Sequence, residues 1–180
     1  MTYRVCFVCT GNICRSPMAE SVFRARVAEA GLEDLIEVDS AGTGGWHEGE
    51  GADPRAVSVL EGHGYDSDHT ARRFQASWFA RLDLVIALDT GHLKALRRLA
   101  PTEDDARKVR LLRSYARPSS GHRPATGASH APAADADDDL DVPDPYYGGL
   151  DGFEECLEMV EEASTGLLSA VRHEVEGRAA

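Results

Sequence analysis

Short apolar runs recur along the chain and predict buried strands. Three of them, at 3–8, 36–41 and 84–88, are too short for ordinary helices and are rich in residues favoured in strands. A weaker run at 109–112 predicts a fourth strand. Near-continuous apolar strands are typical of parallel sheets that are covered by helices on both faces.

Segments with helical signals lie between and after these runs. The predicted helices span 17–30, 53–62, 89–99 and 153–176. Asp53 precedes Pro54, which suits an N-cap followed by the first helical position, and Asp89 similarly caps the third helix. The last segment carries apolar residues at helical spacing along its whole length. This alternation predicts an α/β fold with a parallel sheet between two layers of helices.

One segment does not follow these patterns. Residues 117–139 are rich in Pro, Ser, Ala, Gly, His and Asp and have no apolar periodicity. We interpret them as a mobile surface insertion, with an ordered functional lid as the alternative. The rest suits one compact domain, so we predict a single domain over 1–180 with this insertion.

Charge and composition narrow the classes of function. The formal net charge is −12, which argues against sequence-independent binding to nucleic acid or to an anionic membrane. No apolar run is long enough to span a membrane, and no secretory signal precedes the first strand, so we expect a cytoplasmic protein. Its four cysteines are then expected to be free, catalytic or redox-active. Cys6 and Cys9 lack a second pair for zinc, and we expect no metal or cofactor.

The chemistry of the chain is concentrated in the loop CTGNICRS at 9–16, between the first strand and the first helix. Ligands of open parallel sheets bind at the carboxyl ends of the strands, where this loop lies. Its backbone N–H groups and the helix N-terminus favour an anion, with phosphate as the natural occupant. The predicted phosphate-binding or substrate-binding residues of the loop are Thr10, Gly11, Asn12, Ile13, Cys14 and Ser16.

Two residues of the loop carry the reactive groups. The same electrostatic field stabilises Cys9 as a thiolate, which makes it a nucleophile. Arg15 offers a planar pair of donors for two phosphate oxygens. Ser16 can donate a hydrogen bond to the sulfur or cap the helix, and the two roles are compatible. The Gly-Lys-Ser/Thr signature of nucleotide-binding loops is missing.

A general acid must come from another part of the chain, because the loop contains no carboxyl group. Asp144 is the candidate, since it lies between two prolines and is followed by Tyr146 and Tyr147. The alternative is a turn with two packed tyrosines. Together with Trp46, these tyrosines also have a simpler interpretation as core aromatic residues.

The chain resembles the low-molecular-weight protein tyrosine phosphatases, in particular their actinobacterial members. The motifs are CTGNICRS at 9–16, SAGTGGWH at 40–47, ADPRA at 52–56, DHTARRF at 68–74 and DPYY at 144–147. The resemblance covers most of the chain outside 117–139.

The resemblance implies a fold and a mechanism. It implies a four-stranded parallel sheet with helices on both sides, and phosphotyrosine proteins as substrates. The sequence does not fix the oligomeric state, and a monomer is favoured. Cys9 would be the nucleophile that forms a cysteinyl-phosphate, Arg15 the phosphate clamp, and Asp144 the general acid and then the general base. The implied supporting residues are Asn12, Ser16 and His69 for the loop and Trp46, Tyr146 and Tyr147 for the walls of the pocket.

The resemblance also bears on two other loop residues. Thr10 replaces a bulkier apolar residue of many eukaryotic members, which affects the expected substrate preference. A disulfide between Cys14 and an oxidised Cys9 is expected as protection against peroxide, and the alternative is that Cys14 only packs beneath the loop.

Two other functions remain as alternatives. An arsenate reductase on this scaffold would need further cysteines after the third strand, and residues 80–100 contain none. A non-catalytic phosphate-binding module would not need Cys9, Arg15 and Asp144 together.

Overall fold

A computed structural model of the protein describes residues 2–116 and 140–179. The predicted insertion at 117–139 lies outside the described residues. Among those residues, no helix combines the length and the apolar character that a membrane crossing requires.

The described residues contain one four-stranded sheet, and all its strands are parallel. The strands are β1 (Tyr3–Cys9), β2 (Ile36–Gly42), β3 (Leu84–Ala87) and β4 (Val109–Leu111), in the order β2-β1-β3-β4. Each strand begins at its predicted residue, and the predicted parallel sheet is confirmed.

The helices also follow the predicted order. They are α1 (Arg15–Glu29), α2 (Pro54–Gly62), α3 (Thr90–Leu99), α4 (Glu103–Arg107) and α5 (Leu150–Ala179), with 3₁₀ turns at Ala76–Ala80 and Leu112–Tyr115. Helix α4 was not predicted from the sequence because it buries no side chain and therefore leaves no apolar pattern. Helix α1 begins two residues before its predicted start, so that Arg15 belongs to its first turn.

The sheet separates two hydrophobic cores, because successive side chains of a strand point to opposite faces. Val5 and Phe7 of β1 belong to the core formed with α1, α2 and α5. Cys6 and Val8 belong to the core on the other face, with α3. Cys6 and Cys156 are both buried. Helices on both faces leave the carboxyl edge of the sheet as the place where loops meet.

Candidate active site

The phosphate loop, residues 9–16, turns sharply at Asn12. Its φ of 60° makes Asn12 the one non-glycine residue of positive φ in the part of the chain that the structure describes. Asparagine tolerates this backbone conformation better than most residues. The turn reverses the chain between the end of β1 and the start of α1, so that both ends of the loop face the same point.

Cys9 lies at the base of this loop with its sulfur nearly buried. The Ser16 hydroxyl lies 3.0 Å from Cys9 Sγ, and the Ser16 amide donates to the sulfur at 3.4 Å. Asn12 Nδ2 donates to Ser16 Oγ at 2.8 Å, which leaves the hydroxyl hydrogen free to point at the sulfur. Two hydrogen-bond donors of Ser16 therefore lie within reach of this sulfur atom.

Asn12 holds the loop from below. Its Nδ2 also donates to Ser40 Oγ at 3.0 Å, and its Oδ1 accepts from the Arg72 amide at 3.0 Å. His69 Nε2 donates to the Asn12 carbonyl at 2.6 Å. Burial lowers the pKa of His69, while this hydrogen bond opposes that shift. His69 therefore contacts the loop, and its supporting role stays a prediction.

Arg15 is buried and joins the loop to two other parts of the chain. Its Nη1 donates to Asp89 Oδ2 and to the Val142 carbonyl, both at 2.9 Å. Its Nη2 lies 3.6 Å from Asp144 Oδ2. Burial raises the pKa of Asp89, but hydrogen bonds from the His92 amide and from Arg15 outweigh it and hold the pKa below its usual value. An ionised Asp89 fixes the guanidinium at the loop.

His92, which was not predicted from the sequence, contacts the loop from α3. Its Nε2 lies 2.7 Å from Thr10 Oγ1, and its Nδ1 lies 3.1 Å from Asp89 Oδ1. Burial lowers the pKa of His92 to about 4, although the Asp89 carboxylate opposes that shift. The imidazole is therefore neutral at neutral pH. No local motif marks this contact, because Thr10 and His92 are 82 positions apart.

The acid segment, residues 141–149, crosses the carboxyl edge of the sheet. The Val142 amide donates to the Leu88 carbonyl at 2.8 Å, and Asp141 Oδ1 accepts from the Thr90 amide at the start of α3. Asp144 follows at the rim of the site, with its side chain 43% exposed. A carboxyl group in this position is accessible both to a bound molecule and to water.

Most of the predicted residues meet at one open cavity of about 290 Å³. Its walls are formed by Cys9, Thr10, Gly11, Ile13, Cys14, Arg15, Trp46, His47, Asp144, Tyr146 and Tyr147. Asn12 and Ser16 do not line it, because both lie beneath the loop and shape it from there. His47 was not predicted, although it follows Trp46 directly in the quoted motif. It packs so close to Gly11 that a Cβ there would lie 2.8 Å from its ring.

The aromatic rim of the cavity consists of Trp46, Tyr146 and Tyr147. Trp46 is 72% exposed, Tyr147 is 91% exposed and Tyr146 is 38% exposed. The alternative interpretation of these three side chains as core residues is therefore wrong. Large exposed aromatic faces around an anion site suit a flat ring that carries a phosphate.

Comparisons with known proteins agree with this geometry. The family model for low molecular weight phosphotyrosine protein phosphatases matches residues 4–125 and 128–177. The chain is 73% identical to the low molecular weight protein-tyrosine-phosphatase of Streptomyces coelicolor over 180 residues, which cover 100% of both chains. It is 47% identical to low molecular weight protein-tyrosine phosphatase A of Mycobacterium tuberculosis over 163 residues, 91% of this chain and 88% of that one.

A solved structure gives the same result. The protein tyrosine phosphatase of Entamoeba histolytica, with Hepes in its active site, has a TM-score of 0.81 and 30% identity to this chain. The alignment covers 96% of this chain and 99% of that one. The family match also runs through most of 117–139, leaving out residues 126 and 127. The resemblance is therefore more extensive there than the motifs alone indicated.

Proposed function

Since the chain belongs to the low molecular weight phosphotyrosine protein phosphatase family and is a protein tyrosine phosphatase, we propose that Cys9, Arg15 and Asp144 carry out its reaction. The observation that carries this assignment is that one cavity brings the three side chains together. Arsenate reduction and phosphate binding without catalysis are not favoured, because the relatives described above are named as phosphatases.

In the first step, Cys9 Sγ attacks phosphorus and displaces the tyrosine oxygen. The S–P bond forms as the P–O bond to the aromatic ring breaks, and Asp144 transfers its proton to the departing phenolate oxygen. The loop N–H groups and the Arg15 guanidinium bind the three remaining phosphoryl oxygens. Asp89 and the Val142 carbonyl hold that guanidinium in place, so its orientation does not have to be established during the reaction.

In the second step, water removes the phosphoryl group from the sulfur. Asp144, now a carboxylate, accepts a proton from the attacking water. The S–P bond breaks, inorganic phosphate leaves, and the Cys9 thiolate is restored. The two hydrogen bonds from Ser16 stabilise the sulfur as leaving group, just as they stabilise it as nucleophile.

The aromatic rim determines the class of substrate. A phosphotyrosine ring can lie between Trp46 and Tyr146 while its phosphate reaches the loop, whereas the shorter side chain of phosphoserine leaves its phosphate outside. We propose phosphotyrosine proteins as substrates of a monomeric, cytoplasmic enzyme with a single domain over 1–180. The cytoplasm is supported by four free cysteines.

Variants of the acid test this division of roles. Asp144→Asn should lower kcat/KM, which reports only the first step, far more for phenyl phosphate than for 4-nitrophenyl phosphate, because only the poorer leaving group needs the proton. Equal losses on the two esters would contradict the acid role. Phosphotyrosine and phosphoserine peptides of one sequence test the substrate class, and comparable turnover of both would contradict it. An arsenate reduction assay on the same preparation should show no activity.

A further inference from the structure

Arg55 connects the phosphate loop to the acid segment, although it does not line the cavity. It is the second residue of α2, and its guanidinium binds the preceding N-cap Asp53 through two bonds. Nε donates to Asp53 Oδ1 at 3.0 Å, and Nη2 donates to Oδ2 at 2.9 Å. Side-chain hydrogen bonds from Arg55 are the main reason that the pKa of Asp53 is lowered, so Asp53 is a carboxylate. Asp53 is itself 8% exposed, and its amide donates to the Ile13 carbonyl of the loop at 2.8 Å.

The opposite side of the Arg55 guanidinium contacts the acid segment. Its Nη1 donates to the Gly148 carbonyl at 2.8 Å. Its central carbon lies 5.5 Å from the centre of the Tyr146 ring and 4.7 Å from that of the buried Phe153 ring at the start of α5. One planar group thus makes a two-bond ion pair, a hydrogen bond to a backbone carbonyl and two ring contacts.

These contacts fix the far end of the acid segment. Its near end is held where the Val142 amide bonds to Leu88 and where Arg15 bonds to the Val142 carbonyl. Its far end is held where Arg55 bonds to the Gly148 carbonyl. Asp144 and Tyr146 lie between the two attachments, so their positions depend on both.

We propose that Arg55 is a positioning residue for the general acid and for the Tyr146 wall, joining them to the phosphate loop through Asp53. This inference rests on the proposed role of Asp144. Arg55 touches neither the reacting phosphorus nor the leaving oxygen. Its contribution is that it fixes where the acid segment lies relative to Cys9. A lysine keeps the charge but cannot make the paired bonds to Asp53, the bond to Gly148 and the ring contacts at once.

The test compares Arg55→Lys with a matched variant of the same helix. His63 is the C-cap residue of α2, and its Nε2 lies 2.9 Å from Glu154 Oε1 of α5. His63→Ala therefore also removes a contact between this end of α2 and α5, away from the acid segment. Small displacements of a catalytic group cost up to about 100-fold in rate. Arg55→Lys should therefore lower kcat/KM, which reports only the first step, by about 10-fold to 100-fold for phenyl phosphate and by less than about threefold for 4-nitrophenyl phosphate. His63→Ala should leave the ratio of the two rates unchanged.

Combining the change with Asp144→Asn separates positioning from a general loss of structure. In that background Arg55→Lys should cost less than about threefold on phenyl phosphate, because no acid remains to be positioned. Equal losses with and without Asp144, or equal losses on both esters, would overturn the proposal. If Asp144→Asn alone shows no dependence on the leaving group, the proposed acid role itself is wrong. If Asp144→Asn shows that dependence and Arg55→Lys does not, only the role of Arg55 is wrong.

Discussion

Replacing Asn12 tests whether the buried network beneath the phosphate loop gives the loop its shape. The Asn12 side chain is fully buried, donates to Ser16 and Ser40 and accepts from the Arg72 amide. Three hydrogen bonds at about 1 kcal/mol each set a loss of about 3 kcal/mol in the free energy of unfolding when the side chain is removed. This loss should be common to Asn12→Ala and Asn12→Gly.

The backbone at Asn12 separates the two variants. At a φ of 60°, alanine is strained by about 1–2 kcal/mol relative to glycine. Glycine in turn loses about 0.4–1 kcal/mol more conformational entropy on folding. The two contributions nearly cancel, so the two variants should differ in the free energy of unfolding by about 1 kcal/mol or less.

Urea unfolding and inhibition by inorganic phosphate provide the measurements. Both variants should bind phosphate at least about tenfold more weakly, because part of the binding free energy must then be used to order the loop. Gln75→Ala, at an exposed amide with one 3.5 Å bond to the Arg73 carbonyl, is the control and should change neither quantity. Wild-type stability and phosphate binding in Asn12→Gly would refute the role of the network. A deficit of several kcal/mol confined to Asn12→Ala would assign the effect to the backbone instead.

Three further predictions concern packing, pH and oxidation. Gly166→Ala should destabilise the protein by about 3 kcal/mol in urea unfolding, because the new Cβ would lie 1.8 Å from the Tyr115 carbonyl oxygen. In the same helix, a Cβ at Gly177 would contact nothing, so Gly177→Ala should stabilise the protein by up to about 1 kcal/mol. Equal effects of the two changes would contradict this packing. Burial lowers the pKa of His92 to about 4 in the folded protein, whereas the ordinary pKa of histidine is 6.5. Between these pH values the unfolded state binds more protons than the folded state. The free energy of unfolding therefore falls as the pH drops from 6.5 to 4. In His92→Gln, the total loss of unfolding free energy between pH 6.5 and 4 should be smaller by up to about 3 kcal/mol. The same pH dependence in this variant and in wild type would refute the role of His92. When the protein is treated with peroxide and then with a thiol reductant, wild type should regain more activity than Cys14→Ser. Peptide mapping of oxidised wild type should find a disulfide between Cys14 and Cys9. Equal recovery of the two proteins without that disulfide would exclude a resolving role for Cys14.

Features that depend on neighbouring residues could be predicted from the sequence, whereas contacts between distant residues could not. Strands and capped helices were predictable because their signals are local, as at Asp53 and Asp89. Asparagine is a residue type that tolerates left-handed backbone, and Asn12 has a φ of 60°. The contacts of Arg15 with Asp89 and of Thr10 with His92 were not predictable, since they join residues 74 and 82 positions apart.

Exposure was the least predictable property of the site. By residue type alone, Trp46 and Tyr146 could lie in the core or at the rim of a binding site. Which of the two occurs depends on the path of the loops in the folded chain. Arg55 lies within a quoted motif, yet its contact with Gly148 spans 93 positions and depends on where the acid segment crosses the sheet. Local patterns therefore indicated the candidate reactive residues, while the contacts around them became visible in the folded chain.

The central claim is that the phosphoryl group passes through Cys9. The direct measurement mixes Asp144→Asn, which retains the nucleophile, with a ³²P-labelled phosphotyrosine peptide, denatures the protein within the first turnover and maps the label. Label is expected on a peptide that contains Cys9, bound through sulfur, and none is expected in Cys9→Ser. Label on another residue, or hydrolysis by folded Cys9→Ser at the wild-type rate, would contradict it.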